Sequence, residues 1–266
     1  DEEVKHHYEL HNRPQDYKEL RPGKTAYYDA MIRIDLGTQE SMIALPFHPS
    51  NACTIHELQE HPEEILKKIE EDGRKRYGDK VKDVNLMSKI RDGKVWADQG
   101  IIAGCSGGTY DNLCEAAAIL NGQSIGNDYF TMSAYPQSSP VSLATQRSGV
   151  AQTLTEAGVV LKPAFCGPCF GAGDVPGNDC LSIRHTTRNF PNREGSKPGQ
   201  GQISWVALMD ARSIAATAAN GGRITAATDV EYEDNYAPYK YDGRIYEHRV
   251  YNGFGKAEPN YELRYG

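Results

Sequence analysis

Apolar and polar positions change their period along this chain, and the changes predict alternating strands and helices. Four apolar runs have the length of buried strands; they lie at residues 95–103, 128–134, 159–165 and 179–185. Three stretches have a helical period and are each followed closely by a glycine. They cover residues 110–120, residue 140 or 141 to residue 157, and residues 204–219. This succession predicts an α/β fold.

The region before residue 95 predicts one strand and one charged helix. Apolar and polar residues alternate from Met31 on, which predicts a half-buried strand over residues 28–36. A helix is predicted from about Thr54 or Pro62 to Tyr77, and its many Glu and Lys residues at i,i+4 spacing indicate a surface element. We therefore predict a three-layer α/β/α domain on a mixed sheet of about five strands.

Composition divides the chain into three segments. Residues 1–24 are polar and form a predicted N-terminal arm or linker, residues 25–226 carry the α/β pattern, and residues 227–266 hold eight of the sixteen tyrosines. Within this Tyr-rich extension, Asp242-Gly243 predicts a hairpin turn. Because the chain does not open on methionine, we expect it to be a piece of a longer protein.

The composition is that of a soluble globular protein and disfavours several functional classes. Of the 266 residues, 39% are hydrophobic and 24% charged, and no apolar run reaches the roughly 18 residues of a membrane span. The formal net charge is −7 without a dense basic patch, so we expect no nucleic-acid partner and no membrane partner. Six cysteines without a secretory signal predict reduced thiols and a cytoplasmic location.

Three cysteines follow the carboxyl ends of predicted strands, at the sheet edge where open α/β folds bind ligands. Cys105 lies between the strand at 95–103 and the next helix, and Cys166 and Cys169 form a CxxC after the strand at 159–165. Three thiolates are one ligand short of a closed zinc site. An iron–sulfur cluster held by three cysteines leaves one iron uncovered by protein, and such a metal can act as a Lewis acid.

Other chemistries for these cysteines stay open at this point. Cys166-Gly-Pro-Cys169 is the active-site tetrapeptide of thioredoxin-like oxidoreductases, although the glycine-rich sequence after it does not favour the required helix. A zinc-stapled interaction domain could combine Cys105, Cys166 and Cys169 with His185 or Cys180 as fourth ligand. The remaining cysteines are predicted to be ordinary buried thiols: Cys53, Cys114 and, where it is not a zinc ligand, Cys180.

Two arginines stand close behind the CxxC along the chain. Arg188 and Arg193 flank Asn-Phe-Pro-Asn in a loop that follows the predicted strand at 179–185. Guanidinium groups form two parallel hydrogen bonds to a carboxylate, so a pair in such a loop suits a carboxylate ligand. The arginines are therefore candidate substrate-binding residues.

Together these motifs resemble the cluster-bearing third domain of the aconitase and isopropylmalate isomerase superfamily, over about residues 25–226. The matching segments are Ile-Ala-Gly-Cys-Ser-Gly-Gly-Thr-Tyr-Asp-Asn from residue 102, Phe-Cys-Gly-Pro-Cys-Phe-Gly from residue 165 and Thr-Arg-Asn-Phe-Pro-Asn-Arg from residue 187. The chain departs from the family pattern at Ser106-Gly107, where Thr-Asn is usual, at Thr187, and at Pro191-Asn192.

The resemblance implies a function. A [4Fe–4S] cluster, which an oxygen-exposed sample can lose, would be held by Cys105, Cys166 and Cys169, while Arg188 and Arg193 would bind substrate carboxylates. The reaction would dehydrate and rehydrate a hydroxy di- or tricarboxylate. The catalytic base would come from another domain of the parent protein, so the isolated chain should be inactive. The Tyr-rich extension would lead to the family's last domain.

Overall fold

The computed structural model describes residues 1–126, 129–191, 195 and 202–248. Nine strands lie in these residues: β1 (Met42–Ala44), β2 (Ala52–Thr54), β3 (Ile90–Arg91), β4 (Lys94–Val95), β5 (Gln99–Ile102), β6 (Thr131–Ala134), β7 (Val160–Leu161), β8 (Cys180–His185) and β9 (Ser204–Met209). Ten α-helices accompany them: α1 (Glu2–Leu10), α2 (Ile55–Glu60), α3 (Pro62–Tyr77), α4 (Gly104–Gly107), α5 (Tyr110–Leu120), α6 (Ser139–Arg147), α7 (Val150–Glu156), α8 (Gly167–Phe170), α9 (Ala211–Ala219) and α10 (Arg244–Glu247). None of these described helices is both long and apolar enough to cross a bilayer.

Seven of the strands form one mixed sheet in the order β2-β1-β9-β8-β5-β6-β7. The five strands from β9 to β7 in this order run parallel, whereas β1 is antiparallel to both β9 and β2. The α/β class and the mixed sheet are confirmed. The predicted number of about five strands is too low, because the short strands β1 and β2 lie in a loop-like stretch of the sequence and β9 lies in a predicted helix.

The two faces of the sheet differ in what covers them. One face joins the main core, where a Cβ added to Gly100 of β5 would lie 3.0 Å from Ile214 of α9. On the other face, a separate small cluster of Ile101, Ala103 and Tyr135 is buried. Tyr135 contacts the segment that follows α8, so the CxxC segment covers this second face at the carboxyl edge.

Four predicted strands and the predicted helix at residues 110–120 are confirmed. The apolar runs from residue 95, 159 and 179 contain β5, β7 and β8, and the described part of the run at 128–134 contains β6. Helix α5 has the predicted bounds, and the side chain of Thr109 caps it by accepting a hydrogen bond from the Asn112 backbone N–H. The alternation of strand and helix therefore positions Cys105 as expected.

The predicted strand at residues 28–36 is wrong. This stretch forms no strand, and only a short 3-10 turn, Leu36–Thr38, closes it. Its apolar side chains are open to solvent, with Ile32 86% and Ile34 65% exposed. An alternating pattern forms a strand only beside a neighbour that supplies hydrogen bonds, and no strand of the described residues pairs with this segment.

The predicted helix at residues 204–219 is wrong in its first half. Strand β9 occupies 204–209 between β1 and β8, and Asp210 then caps α9 by accepting a hydrogen bond from the Ser213 backbone N–H. Trp205, Val206 and the residues after them are nearly all buried, so the run reads as apolar throughout. A short apolar run of this kind has no period that separates a buried strand from a buried helix.

Two predicted helices are each interrupted. Thr54 begins α2 through a capping box with Glu57, and Pro62 begins α3, so both predicted starting points are real. Leu66 and Ile69 of α3 are buried, so this helix is less superficial than its charge indicates. The predicted helix ending at residue 157 divides into α6 and α7 at Gly149, whose φ of +85° breaks the helix.

The described part of the Tyr-rich extension, residues 227–248, packs on the α/β core but does not form the predicted hairpin. Asp242 instead accepts hydrogen bonds from Arg147 and Arg244, and α10 begins directly after Gly243. The Tyr110 hydroxyl donates to the Ala237 carbonyl at 2.8 Å. In the N-terminal arm, the His11 ring stacks at 4.7 Å on Tyr241 of the extension.

Candidate functional site

The first site element is the turn that follows β5. Gly104 has a φ of +75°, which reverses the chain direction after the strand, and α4 then carries Cys105 at the surface. A Cβ at Gly107 would collide with the His185 carbonyl oxygen, and one at Gly108 with the Tyr135 carbonyl oxygen. The glycines therefore let the turn lie directly on the ends of β8 and β6.

Side chains hold this turn in place. Asn112 of α5 donates hydrogen bonds from Nδ2 to the carbonyls of Ser106 and Gly107, at 3.1 and 3.0 Å. Gln137 Nε2 donates to the carbonyl of Cys105 at 3.4 Å. Both side chains bond to backbone carbonyls, so they fix the backbone position of Cys105 and do not involve its thiol.

The second site element is the CxxC turn. Cys166 precedes α8 and Cys169 lies within it, and the Cys169 N–H donates to the Cys166 carbonyl at 3.0 Å. Gly171, with a φ of +80°, ends this single turn after four residues. A thioredoxin-like site needs a longer helix whose dipole lowers the first thiol's pKa, and α8 does not supply one.

The structure brings the three predicted cysteines to one place. A Cβ at Gly104 would lie 3.0 Å from Cys169 Sγ, so the turn that carries Cys105 abuts the CxxC. Burial raises the pKa of the Cys169 thiol, and the charges of Cys166 and Cys105 raise it further. The Thr187 backbone N–H opposes them by donating to the Cys169 sulfur. Cys105 and Cys166 are exposed, and Cys169 is half-buried.

Two side chains from the sheet support the segment that follows the CxxC. Arg184 of β8, which is 1% exposed, donates at 2.8 Å to the Pro168 carbonyl and at 2.9 Å to the Asp174 carbonyl. The Tyr135 hydroxyl donates to Asp174 Oδ2 at 2.5 Å. Burial, together with the negative Asp174, raises the pKa of Tyr135, so the phenol stays protonated as a donor.

Of the two candidate arginines, the structure places one. Arg188 is exposed beyond the end of β8, next to Thr187, whose N–H reaches the Cys169 sulfur. Its neighbour Asn189 is buried and donates from Nδ2 to the Leu45 carbonyl at 2.7 Å, which ties this loop to the end of β1. Arg193 lies outside the described residues.

A single metal ion and an iron–sulfur cluster would make different demands on the described residues. No group of three or more His, Cys, Asp or Glu side chains in the described part of the chain could hold one metal ion. A four-iron cluster instead receives one thiolate at each of several irons, so its ligands surround it from a distance. The gathered thiols, the N–H donated to the Cys169 sulfur and the side-chain-free Gly104 beside that sulfur suit such a group.

The proposed fourth zinc ligands are poorly placed. Cys180 begins β8 and the site lies beyond the other end of that strand, about 16 Å away at 3.3 Å per residue. Its thiol is half-buried near Asp98 and Lys89, and burial raises its pKa. His185 ends β8 beside the site, but side chains alternate along a strand, so it lies on the face opposite Arg184 and the CxxC segment.

The sequence did not indicate three residues that shape the site: Asn112, Tyr135 and Arg184. Asn112 stands in the segment that carries the family resemblance, and its position three residues after a helix cap could have predicted a contact with the preceding turn. Arg184 lies in β8 and Tyr135 directly after β6, and only the pairing of strands shows that they reach the CxxC segment.

The chain is similar in sequence to known proteins. The family model for the aconitase family (aconitate hydratase) matches residues 1–216. The chain is 26% identical over 198 residues to 3-isopropylmalate dehydratase large subunit 1 of Methanopyrus kandleri. These aligned residues cover 73% of the chain and 38% of that relative. It is 30% identical over 187 residues to the mitochondrial aconitate hydratase of Arthroderma benhamiae, which covers 67% of the chain and 20% of that relative.

A third relative shows the same proportion. The 3-isopropylmalate dehydratase large subunit of Moorella thermoacetica is 25% identical over 217 residues, or 81% of the chain and 42% of the relative. The chain thus spans about two fifths or less of the length of these relatives. The family match covers both site turns and the whole sheet. The chain therefore belongs to the aconitase family.

Proposed function

We propose that this chain is the cluster-binding part of an aconitase-family hydro-lyase that acts on a hydroxy di- or tricarboxylate. The observation that carries the proposal is the meeting of Cys105, Cys166 and Cys169 at the carboxyl edge of the parallel strands. The named relatives are dehydratases and hydratases of hydroxy acids or their dehydrated forms, which supports the reaction class.

The three thiolates would hold a [4Fe–4S] cluster. When bound, such a cluster supplies a Lewis-acidic iron that assists the departure of a hydroxyl group. The chain's own residues set the surroundings: Asn112 holds the Cys105 turn, and Thr187 donates its N–H to the Cys169 sulfur. An N–H donated to a cluster sulfur stabilises negative charge there.

Arg188 and Arg193 would bind and orient the substrate's carboxylates. Arg188 extends from the loop that Asn189 ties to β1, so its backbone is fixed while its side chain is exposed. A planar guanidinium can bind a carboxylate through two parallel hydrogen bonds, which orients the substrate as well as attracting it. Lysine at either position would keep the charge and lose this geometry.

The remaining parts of the active site would come from polypeptide beyond this chain. The relatives are more than twice as long as the stretch that the chain covers, 38% and 20% for the first two. We infer that the catalytic base and the other residues that bind the substrate lie in those further domains. We also propose that the protein acts in the cytoplasm. Residues 1–24 and 227–266 would join the cluster domain, at 25–226, to these parts.

Anaerobic reconstitution with iron and sulfide tests the cluster. The chain should gain broad visible absorption and about four irons. Cys166→Ser should lose both, because a serine hydroxyl does not replace the thiolate. Cys180→Ser is the matched control, since this cysteine lies at the far end of β8, and it should reconstitute normally.

Three outcomes would contradict the proposal. An unchanged spectrum in Cys166→Ser would refute the ligand assignment. Stoichiometric zinc in anaerobically purified protein, with loss of the fold on chelation, would favour an interaction domain. Iron-free reduction of a disulfide substrate through Cys166 would favour a redox module.

A further inference from the structure

Arg184 occupies an unusual place for an arginine. It lies within β8, is 1% exposed, and faces the side of the sheet that the CxxC segment covers. Its guanidinium uses all three nitrogens: Nε donates to Ser182 Oγ at 2.8 Å, Nη1 to the Pro168 carbonyl at 2.8 Å, and Nη2 to Gln99 Oε1 at 3.2 Å and the Asp174 carbonyl at 2.9 Å. Burying such a group is costly unless its donors are satisfied.

The four acceptors divide into two groups with different roles. Ser182 and Gln99 belong to the paired strands β8 and β5, and the Ser182 hydroxyl also donates to Gln99 Oε1 at 2.7 Å. These two orient the guanidinium from the sheet. Pro168 lies between the two cysteines of the CxxC, and Asp174 lies five residues after Cys169, so the other bonds reach both ends of one loop.

Among the described residues, few other hydrogen bonds hold that loop, one of them donated by the Thr187 N–H to the Cys169 sulfur. Residues 167–173 include three glycines, which lose more conformational entropy on ordering than other residues. Within it, the Cys169 N–H donates to the Cys166 carbonyl at 3.0 Å and the Ala172 N–H to the Gly167 carbonyl at 2.9 Å. The Tyr135 hydroxyl adds one bond at Asp174. Arg184 bonds the loop at two separate carbonyls.

We propose that Arg184 is a positioning residue that fixes the CxxC turn on the sheet and thereby sets the places of the Cys166 and Cys169 thiols. The part of this proposal that concerns a bound cluster rests on the function proposed above. A planar fork can reach the carbonyls of Pro168 and Asp174, six residues apart, and a lysine ammonium presents no such fork. Arginine is therefore the side chain that this position requires.

Hydrogen exchange of the iron-free chain tests the positioning directly. Arg184→Lys should raise exchange of the Cys169 and Ala172 amides at least tenfold, while amides of β5 and β8 keep their protection. The matched control is Lys89→Met, which removes another buried cation. Lys89 lies away from the loop and pairs with Asp98, its Nζ lying 2.9 Å from the carboxylate. This control should leave exchange in the loop unchanged.

A second variant keeps the proposal testable if Arg184→Lys does not fold. Ser182→Ala removes the acceptor of Nε and leaves the arginine, so loop exchange should rise several-fold. Unchanged loop exchange in whichever variants fold would overturn the proposal. Equal loosening by Lys89→Met would also overturn it, because the effect would then be one of general stability.

Reconstitution separates this proposal from the function on which it draws. In Arg184→Lys, the reduced cluster should show an altered electron paramagnetic resonance line shape and should be lost several-fold faster in air. A wild-type spectrum and lifetime, despite a loosened loop, would refute an effect on the thiols. If even the wild-type chain takes up no cluster, the proposed function fails, and the exchange measurement alone still decides whether Arg184 fixes the loop.

Discussion

The six thiols of this chain differ in how readily they can react, because reactivity depends on the thiolate fraction and on exposure. Cys105 and Cys166 are exposed, whereas burial raises the pKa of Cys114 to about 12 and that of Cys53 to about 11. Relative to the ordinary thiol pKa of 9.0, this shift leaves Cys114 with roughly a thousandfold less thiolate at neutral pH than an unburied thiol would have. The exposed pair should therefore dominate the chemistry of the apo chain.

Alkylation with iodoacetamide at neutral pH, followed by peptide mass spectrometry, measures this order. Cys105 and Cys166 should be modified at least a hundredfold faster than Cys114, with the half-buried Cys169 between them. In denaturant all of them should react at similar rates, which serves as the control. Equal modification of Cys105 and Cys114 in the folded chain would contradict this order of reactivity.

At this scale, the sequence identifies residues whose type already implies chemistry. Cys105, Cys166 and Cys169 stand out because three thiols follow strand ends in glycine-rich turns. Arg184 does not, since an arginine inside an apolar run reads as an interruption of a strand. Its role depends on the register of β8 against β5 and on a backbone carbonyl sixteen residues earlier in the chain.

The Cys105 turn is the element on which the site depends most closely, because it lies against the ends of two strands without intervening side chains. At Gly107 the His185 carbonyl oxygen occupies the place that a Cβ would take. The turn and the end of β8 therefore approach each other most closely at this position. A side chain there would have to push the turn away from the sheet.

Gly107→Ala should destabilise the fold by about 1–3 kcal/mol, because a backbone carbonyl on a central strand cannot move aside as a side chain can. Urea unfolding measures the change. Gly23→Ala is the control, since a Cβ there would meet nothing within 4 Å, and it should stay within about 0.5 kcal/mol. Equal stability of both variants would mean that the turn does not abut β8.

Elements with a clear period or cap were predictable, and elements defined by their neighbours were not. Helix α5 has a threonine cap and a glycine after its end, so both bounds follow from the sequence. The sequence of strand β9 predicts helix because the strand is apolar on both faces. Only the order of strands in the sheet shows that it lies between β1 and β8. Strands β1 and β2 have three residues each, too few to show a period.

At the scale of the whole molecule, the segment at residues 28–36 is the clearest mismatch between pattern and environment. Its alternation of apolar and polar residues suits a half-buried strand, yet Ile32 is 86%, Ile34 65% and Leu36 82% exposed. Exposed apolar side chains in a continuous stretch favour association with other protein surfaces. We therefore expect this segment to make the chain self-associate at high concentration.

The double variant Ile32→Asp, Ile34→Asp tests this expectation, with light scattering over a tenfold range of concentration as the measurement. The variant should remain monomeric where the wild type grows in mass, and its thermal unfolding should be unchanged because the replaced side chains are largely solvated. Ile43→Asp is the contrasting control: this β1 residue is 0% exposed, so a buried carboxylate there should unfold the chain. If the double variant associates as strongly as the wild type, some other surface drives association. If it instead unfolds at lower temperature, Ile32 and Ile34 contribute to the stability of the fold and are not free to drive association.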